Sequence, residues 1–414
     1  MRLKASPIKG TKDYLPEEMA VRDYVQNIIL ESYRQNGFQR ISTPILEAIE
    51  RLDKSEGGEN LSLIFKILKR GAKLVLEQPM LAESDLVDYG LRYDLTLPLA
   101  RYYANNRHLL RTPFKAIQMG KVFRAEQPQK GRLREFYQCD IDIIGDESFD
   151  AEQELIFVAG DTLSKLGFCD FVVKVNDRRI LRSVVDSIGF GESEFSDVCI
   201  SIDKLDKIGV EGVKKELGEK GLNLNSIEKL IEILTNNKLG ELGLPSSCEF
   251  KIVESLNRVI KAANELSDGK FKVVYDGTLA RGMGYYTGMV FEVVTPQWGF
   301  SIAGGGRYDN MIGRFLGEKT SAVGFSIGFE RITSIIQESL LCPKEKISIA
   351  AIYEGDVFNA IKETTTRKQQ GYSVTLLKKS KKIGKQLARL KEEGFDYVWF
   401  LGETSELKPL GGTC

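Results

Sequence analysis

Hydrophobic and polar positions along this chain repeat with two periods, and the changes of period mark its elements. In "VRDYVQNIILESYRQNGF" the apolar residues Val21, Tyr24, Val25, Ile28 and Ile29 recur close to i, i+3, i+4 and i+7. That spacing predicts an amphipathic helix, which Gly37 ends. "QRISTPILEAI" follows as a strand broken by Pro44, and a proline there belongs on a sheet edge or at an interface. From about residue 91 to 145, helix and strand alternate. "TLPLARYYANN" reads as helix, while "FKAIQMGKVFRAE" and "LREFYQCDIDIIG" read as an antiparallel hairpin joined by "PQKGR". "DAEQELIFVAGDTLSKLG" predicts the next helix and "FVVKVN" the next strand.

Residues 200–266 are rich in Lys, Glu, Leu and Ile, with Ile227, Leu230, Ile231 and Leu234 at helical spacing, which predicts a helical insertion. Strand patterns return at "KVVYD", "MVFEVVT" and "FSIAGG", and "GFSIGFERITSIIQESL" reads as a strand running into a helix. Beyond Pro343, strand and helix alternate from "ISIAAIY" through "YSVTLLK" to "DYVWFLG", the pattern of a small parallel α/β sheet. The expected fold class is therefore α+β with a separate C-terminal α/β domain. Its parts are 1–199 and 267–340 as one core, 200–266 as the insertion, and 344–414 as the last domain.

Composition narrows the chemistry. The chain has 414 residues, and its 58 basic and 58 acidic side chains cancel, so no global charge argument favours nucleic acid. No apolar run is long enough to span a bilayer, and the opening lacks the apolar core of a secretory signal, so a cytoplasmic protein is expected. Six cysteines lie scattered without metal-ligand spacing and read as free thiols. The single histidine, His108, excludes a Ser-His-Asp triad and a histidine-rich metal site. Catalysis must run on Arg, Glu, Asp, Tyr and backbone groups.

One stretch carries such groups densely. In "VFRAEQPQKGRLREFYQCDID", residues two apart on a strand share a face, which groups Arg124 with Glu126, Arg132 with Arg134, and Phe136 with Gln138, Asp140 and Asp142. Guanidinium forks hold phosphate oxygens, a ring stacks on a base, and a carboxylate accepts from an amino group, so this face suits a nucleoside polyphosphate. A solvated hairpin surface is the plainer reading of alternating Arg and Glu. No GxxxxGK[ST] loop is present. Arg331 after "GFSIGFE" is a second arginine source, and "AGGGRYDNMIGRF" adds three glycines that permit close approach to a ligand, with Arg307 beside them. A tight turn is the plainer reading of that triplet.

Together these stretches resemble the class II aminoacyl-tRNA synthetases, and within them the histidyl-tRNA synthetase family. "NGFQRISTPIL" is similar to motif 1, the dimer-interface segment, "FRAE" with "GRLREFYQCD" to motif 2, and "AVGFSIGFER" to motif 3. "LARGMGYYTGMVFE" and "AGGGRYDNMIG" resemble the two signature peptides of the histidine enzyme and its relatives. "LRYDLTLPLARY" and "SIDKLDKIGVEGV" resemble the archaeal and eukaryotic branch. The likeness runs from about Ile8 to Gly402.

The resemblance implies an antiparallel-sheet catalytic domain and a reaction of L-histidine with ATP and Mg2+ to histidyl-adenylate, followed by transfer to tRNA(His), in a homodimer joined through motif 1. It implies no metal held by protein ligands. Position by position, Arg124 holds the α-phosphate and the amino-acid carboxylate, Glu126 contacts adenine, and Phe136 stacks on it. Arg331 covers the other adenine face and reaches the γ-phosphate, which Arg132 also contacts. Asp94, Thr96 and Gln138 surround the α-amino group, and Asp142, Tyr285 and Tyr286 form the imidazole pocket. Arg281 is the implied catalytic cation opposite Arg124, where negative charge builds on the α-phosphate.

Two departures from the family pattern stand out. Gly284 occupies a place that is usually acidic, and "ETSELKPLGGTC" stands where the family continues with another strand and helix, so an incomplete anticodon-binding module is expected. Residues 344–414 hold 13 Lys and Arg against 9 Asp and Glu. Lys378, Lys379, Lys381, Lys382, Lys385 and Arg389 could hold tRNA phosphates or form a solvated helix face. Competing readings are a regulatory subunit of ATP phosphoribosyltransferase with the same fold, and a paralogue that activates histidine but charges something other than the usual tRNA.

Overall fold

Eight strands build the main sheet of the computed structural model. Their order is Gln39–Arg40, Phe114–Phe123, Glu135–Ile144, Ala322–Ile327, Ser301–Arg307, Met289–Val294, Phe171–Asp177 and Phe271–Tyr275. Only the outermost pairings on each side are parallel, and all pairings between them are antiparallel. The structure describes residues 3–54, 58–74, 82–128, 132–235, 248–281, 284–339 and 347–410. It divides into two compact units, Met1–Ser339 and Leu340–Cys414.

Pro44 acts as the pattern predicts. The chain pairs at the sheet edge over Gln39–Arg40, leaves it, and re-enters a separate three-stranded sheet at Leu46–Ala48. The predicted hairpin forms between Phe114–Phe123 and Glu135–Ile144, although its tip at 129–131 lies outside the described residues. Along Glu135–Ile144, Cys139, Ile141 and Ile143 face the core while Gln138, Asp140 and Asp142 face a cleft, as strand alternation demands.

Helices cover the core face. Pro16–Gln35 starts with Pro16 in its first turn, and Glu18 reaches back to the Leu15 amide at 2.9 Å. It buries Val25, Ile29 and Tyr33, and it packs on Asp150–Lys165 and Phe329–Glu338. Burying each such side chain contributes about 1.5–3 kcal/mol. Arg22 fastens this layer by donating to both oxygens of Glu330 at 2.6 and 2.8 Å, and Glu330 also accepts from the Tyr137 amide at 3.0 Å. Glu330 of "GFER" is thus a structural anchor, while its neighbour Arg331 turns to the cleft.

The helical region begins earlier than residue 200. Arg178–Ser187 and Glu192–Ile202 already share one core with Leu205–Glu219 and Leu224–Thr235, centred on Val198, Val213, Leu217, Ile227 and Leu230. The last helix, Cys248–Leu266, packs on Asp150–Lys165 and Phe271–Tyr275 as well as on Arg178–Ser187. Asn264 ties it to that strand by bonding both the amide and the carbonyl of Val273. The boundaries differ from the composition shift because the helical core recruits the apolar faces of two flanking helices whose composition is ordinary.

In the second unit, Ser348–Tyr353 lies between Ser373–Lys378 and Tyr397–Phe400, all parallel, with the helices Val357–Gln369 and Ile383–Glu392 as crossovers. A two-residue strand, Lys408–Pro409, pairs antiparallel on the Tyr397–Phe400 edge, an element that periodicity does not reveal in so short a segment. Cys139, Cys169 and Cys199 are free thiols, and Cys342 and Cys414 lie outside the described residues.

Candidate active site

Every residue that the resemblance assigns to the site lines one cleft of about 950 Å³ in the first unit. They arrive from five separate stretches of chain. The sheet explains the convergence: the Phe114–Phe123 and Glu135–Ile144 strands carry one wall, and the strands Met289–Val294 and Ser301–Arg307 carry the other.

On the first wall, the Arg124 Nε donates to the Tyr93 carbonyl at 3.1 Å, and the guanidinium lies over the Phe136 ring, 5.1 Å from its centroid. Arg132 pairs with Glu126 at 3.5 Å. Arg134, grouped with Arg132 by strand parity, instead donates to the Glu126 carbonyl at 2.9 Å and packs against Gly10, so it braces the hairpin base. Opposite, Arg331 donates to the Ser301 carbonyl and sits 5.3 Å from the centroid of Phe300.

Arg281 comes from the loop ahead of Met289–Val294 in a left-handed conformation, φ +56°. Its Nη1 meets Glu292 Oε2 at 3.0 Å. Burial alone would lower its pKa, but Tyr286, Glu292 and Asp203 outweigh that and hold the guanidinium above its ordinary value. It stays charged at any working pH. Glu292 was missed from the sequence, and its only signal was strand parity within "MVFEVV".

The glycine triplet is neither a turn nor a phosphate cradle. Gly304, Gly305 and Gly306 lie inside the Ser301–Arg307 strand. A Cβ on Gly304 would sit 2.9 Å from Arg281 Nη1, and one on Gly306 would sit 2.8 Å from the Tyr286 ring. The glycines therefore make room for the signature arginine and tyrosine. Arg307, beside the glycines in sequence, points to the opposite face, where Nε and Nη2 donate to Glu152 at 2.6 and 2.5 Å in a buried pair. Strand alternation gives the reason: Gly304, Gly306 and Tyr308 share the cleft side, so Arg307 faces the helices.

The floor of the cleft is acidic. Asp142 Oδ1 accepts from the Tyr308 hydroxyl at 2.6 Å, and Gly324 stands opposite because a Cβ there would meet that same oxygen at 2.0 Å. Burial lifts Asp142 to about 7 against the opposing Tyr308 bond, and it lifts Asp94 to about 6. Asp94 Oδ1 accepts from the Leu97 amide at 3.3 Å, in the first turn of the helix Thr96–Asn106. The Tyr285 ring lies 4.8 Å from that of Tyr286 and 6.3 Å from that of Tyr308. Tyr308 joins the pocket without having been named from sequence, though it directly follows the glycines and Arg307. Gly284 is exposed, away from the cleft lining.

A cleft with several guanidinium groups on two walls and buried carboxylates below suits a ligand that is anionic at one end and cationic at the other. Comparisons with known proteins give the family. The family model for histidyl-tRNA synthetase matches residues 10–332. A histidine–tRNA ligase of Leifsonia xyli is 43% identical over 80% of this chain and 81% of its own, and one of Cytophaga hutchinsonii is 37% identical over 97% and 93%. The crystal structure of a histidyl-tRNA synthetase from Nostoc sp. PCC 7120 superposes with a TM-score of 0.76 at 27% identity, covering 96% of this chain and 91% of that one. Fold, cleft and relatives point the same way, and the chain belongs to the histidyl-tRNA synthetase family.

Proposed function

We propose that this protein is a histidine–tRNA ligase, which joins L-histidine to ATP and passes the histidyl group to tRNA(His). The observation that carries the reading is the convergence of the motif 2, motif 3 and signature residues on one cleft, arginines on its walls and carboxylates on its floor. A histidine carboxylate oxygen attacks the α-phosphorus, the bond to the bridging oxygen breaks, and pyrophosphate leaves with the electron pair. Arg124 holds the α-phosphate and carboxylate, and Arg281 stabilises the charge growing on the equatorial oxygens. Phe136 and Arg331 sandwich adenine, Glu126 accepts from its amino group, and Arg132 reaches the γ-phosphate. A terminal ribose hydroxyl of tRNA then attacks the acyl carbon, and AMP departs.

Selectivity follows from unpaired polar groups. Asp142 accepts an imidazole N–H while Tyr285 and Tyr286 line the ring, so an apolar side chain would leave buried partners unmatched. Asp94, Thr96 and Gln138 face the α-amino group. Among the described residues no cluster of His, Cys, Asp or Glu could hold a metal, so Mg2+ would be held by the triphosphate it neutralises. The homodimer forms through the motif 1 segment, where Ile45 and Leu46 are exposed apolar groups beside the exposed Tyr89 of the paired strand Val87–Leu91.

The test is histidine-dependent ATP–pyrophosphate exchange beside charging of tRNA(His). Absence of exchange in intact protein would overturn the reading, and exchange without charging would favour a paralogue with another acceptor. The regulatory-subunit reading is disfavoured because relatives 36–43% identical carry the ligase name and because Arg124 and Arg281 both remain.

A further inference from the structure

Three buried acceptors in the cleft have no hydrogen-bond partner among the described residues: Asp94 Oδ2, Gln138 Oε1 and Asp140 Oδ1. Asp140 has no part in the mechanism above, yet its side chain is 5% exposed and faces the cleft. Nearby donors do not serve it fully. Ser326 is its cross-strand neighbour on one side. Gln118, its neighbour on the other side, donates to the Leu95 carbonyl at 2.7 Å. Arg92 donates to the carbonyls of Thr43 and Lys121, both at 2.9 Å. One Asp140 oxygen is therefore left buried and bare, and a carboxylate in that condition calls for a cationic or N–H ligand.

Its position identifies which. Gln138, Asp140 and Asp142 follow one another on a single strand face, so successive side chains are roughly 7 Å apart. Histidine spans roughly 5–6 Å from its far imidazole nitrogen to the α-nitrogen, so an imidazole held by Asp142 leaves the α-nitrogen within hydrogen-bond reach of Asp140. An ammonium has three N–H donors, and three unpartnered acceptors line the same cleft.

We infer that Asp140 is an additional specificity residue, which accepts one N–H of the substrate α-ammonium beside Asp94 and Gln138. This rests on the reading of the cleft as a histidine-activating site.

The experiment compares wild type and Asp140→Asn in pyrophosphate exchange, with two competitive inhibitors. Histidinol keeps the ammonium, and imidazole-lactate replaces it with a hydroxyl. The expected result is a rise of about tenfold or more in the histidine KM and the histidinol inhibition constant. The ATP KM and the imidazole-lactate constant should change less than about twofold, because neither ligand uses the lost charge. Equal weakening of all three histidine-like ligands, or none, would overturn the assignment. A measurement on the unaltered protein guards against a variant that fails to fold: with three acceptors no N–H is spare, so α-N-methylhistidine should bind at least about tenfold more weakly than histidine. Equal binding would refute the tripod. Failure of wild-type exchange would instead sink the underlying reading.

Discussion

Arg281 adopts a backbone conformation that a side chain with a Cβ enters at a cost of about 1–2 kcal/mol. Its surroundings compel it: Gly304 lies beneath the guanidinium and Glu292 holds it. The pair with Glu292 also sharpens the plainer alternative, that this arginine only secures a loop. Arg281→Ala is expected to lower adenylate formation about a hundredfold or more with little change in ATP affinity. Exchange kinetics at saturating substrates check this, and near-normal turnover would leave Arg281 a loop anchor. The floor carboxylates carry a pH signature. Burial raises Asp94 to about 6 and Asp142 to about 7, so the folded protein retains protons that the unfolded chain releases near pH 4. Their contribution to stability is complete below that value and is lost as pH rises through about 6 and then about 7. Without ligand, the melting temperature should fall between about pH 4 and pH 7 through a term of at most about 1.4 kcal/mol per pH unit for each group, and Asp142→Asn should flatten the fall. An unchanged slope in that variant would show that Asp142 is ionised throughout.

Elements position these residues by alternation and by missing side chains. Gly324 lies opposite Asp142 with no room for a methyl group, and the Tyr308 ring closes the space from the next strand, 3.2 Å from where a Cβ would be. Gly324→Ala should displace the Asp142 carboxylate, raising the histidine KM about tenfold or more and destabilising the fold by about 1–3 kcal/mol. Urea unfolding and steady-state kinetics separate the two effects, and unchanged kinetics would mean that Asp142 does not meet substrate. Strand parity was legible: it correctly grouped Phe136, Gln138, Asp140 and Asp142. It was not applied across "GGGRYD", where the same rule turns Arg307 away and brings Tyr308 in.

For the whole molecule, charge balance and the absence of a metal-ligand pattern limit the chemistry, and the surface adds a statement about assembly. Ile45 and Leu46 expose 41% and 52% of their area on the segment similar to motif 1, and Tyr89 exposes 50% on the strand Val87–Leu91 that pairs with Leu46–Ala48. Leu46→Glu should therefore yield a species of half the sedimenting mass and reduced exchange activity. A wild-type protein that already sediments as a monomer would refute dimerisation through this face.

The sequence by itself determined most elements of both units, the family likeness, and which side chains share a strand face, because these depend on local period and on motifs within short stretches. Tertiary structure alone decided the rest. Arg281 meets Glu292, Asp142 meets Tyr308, and Gly304 and Gly324 leave the space that both need, through contacts between strands distant in the chain. It also left Asp140 buried with one bare oxygen, which no spacing rule reveals, since whether a polar atom finds a partner depends on every neighbour that the fold brings to it.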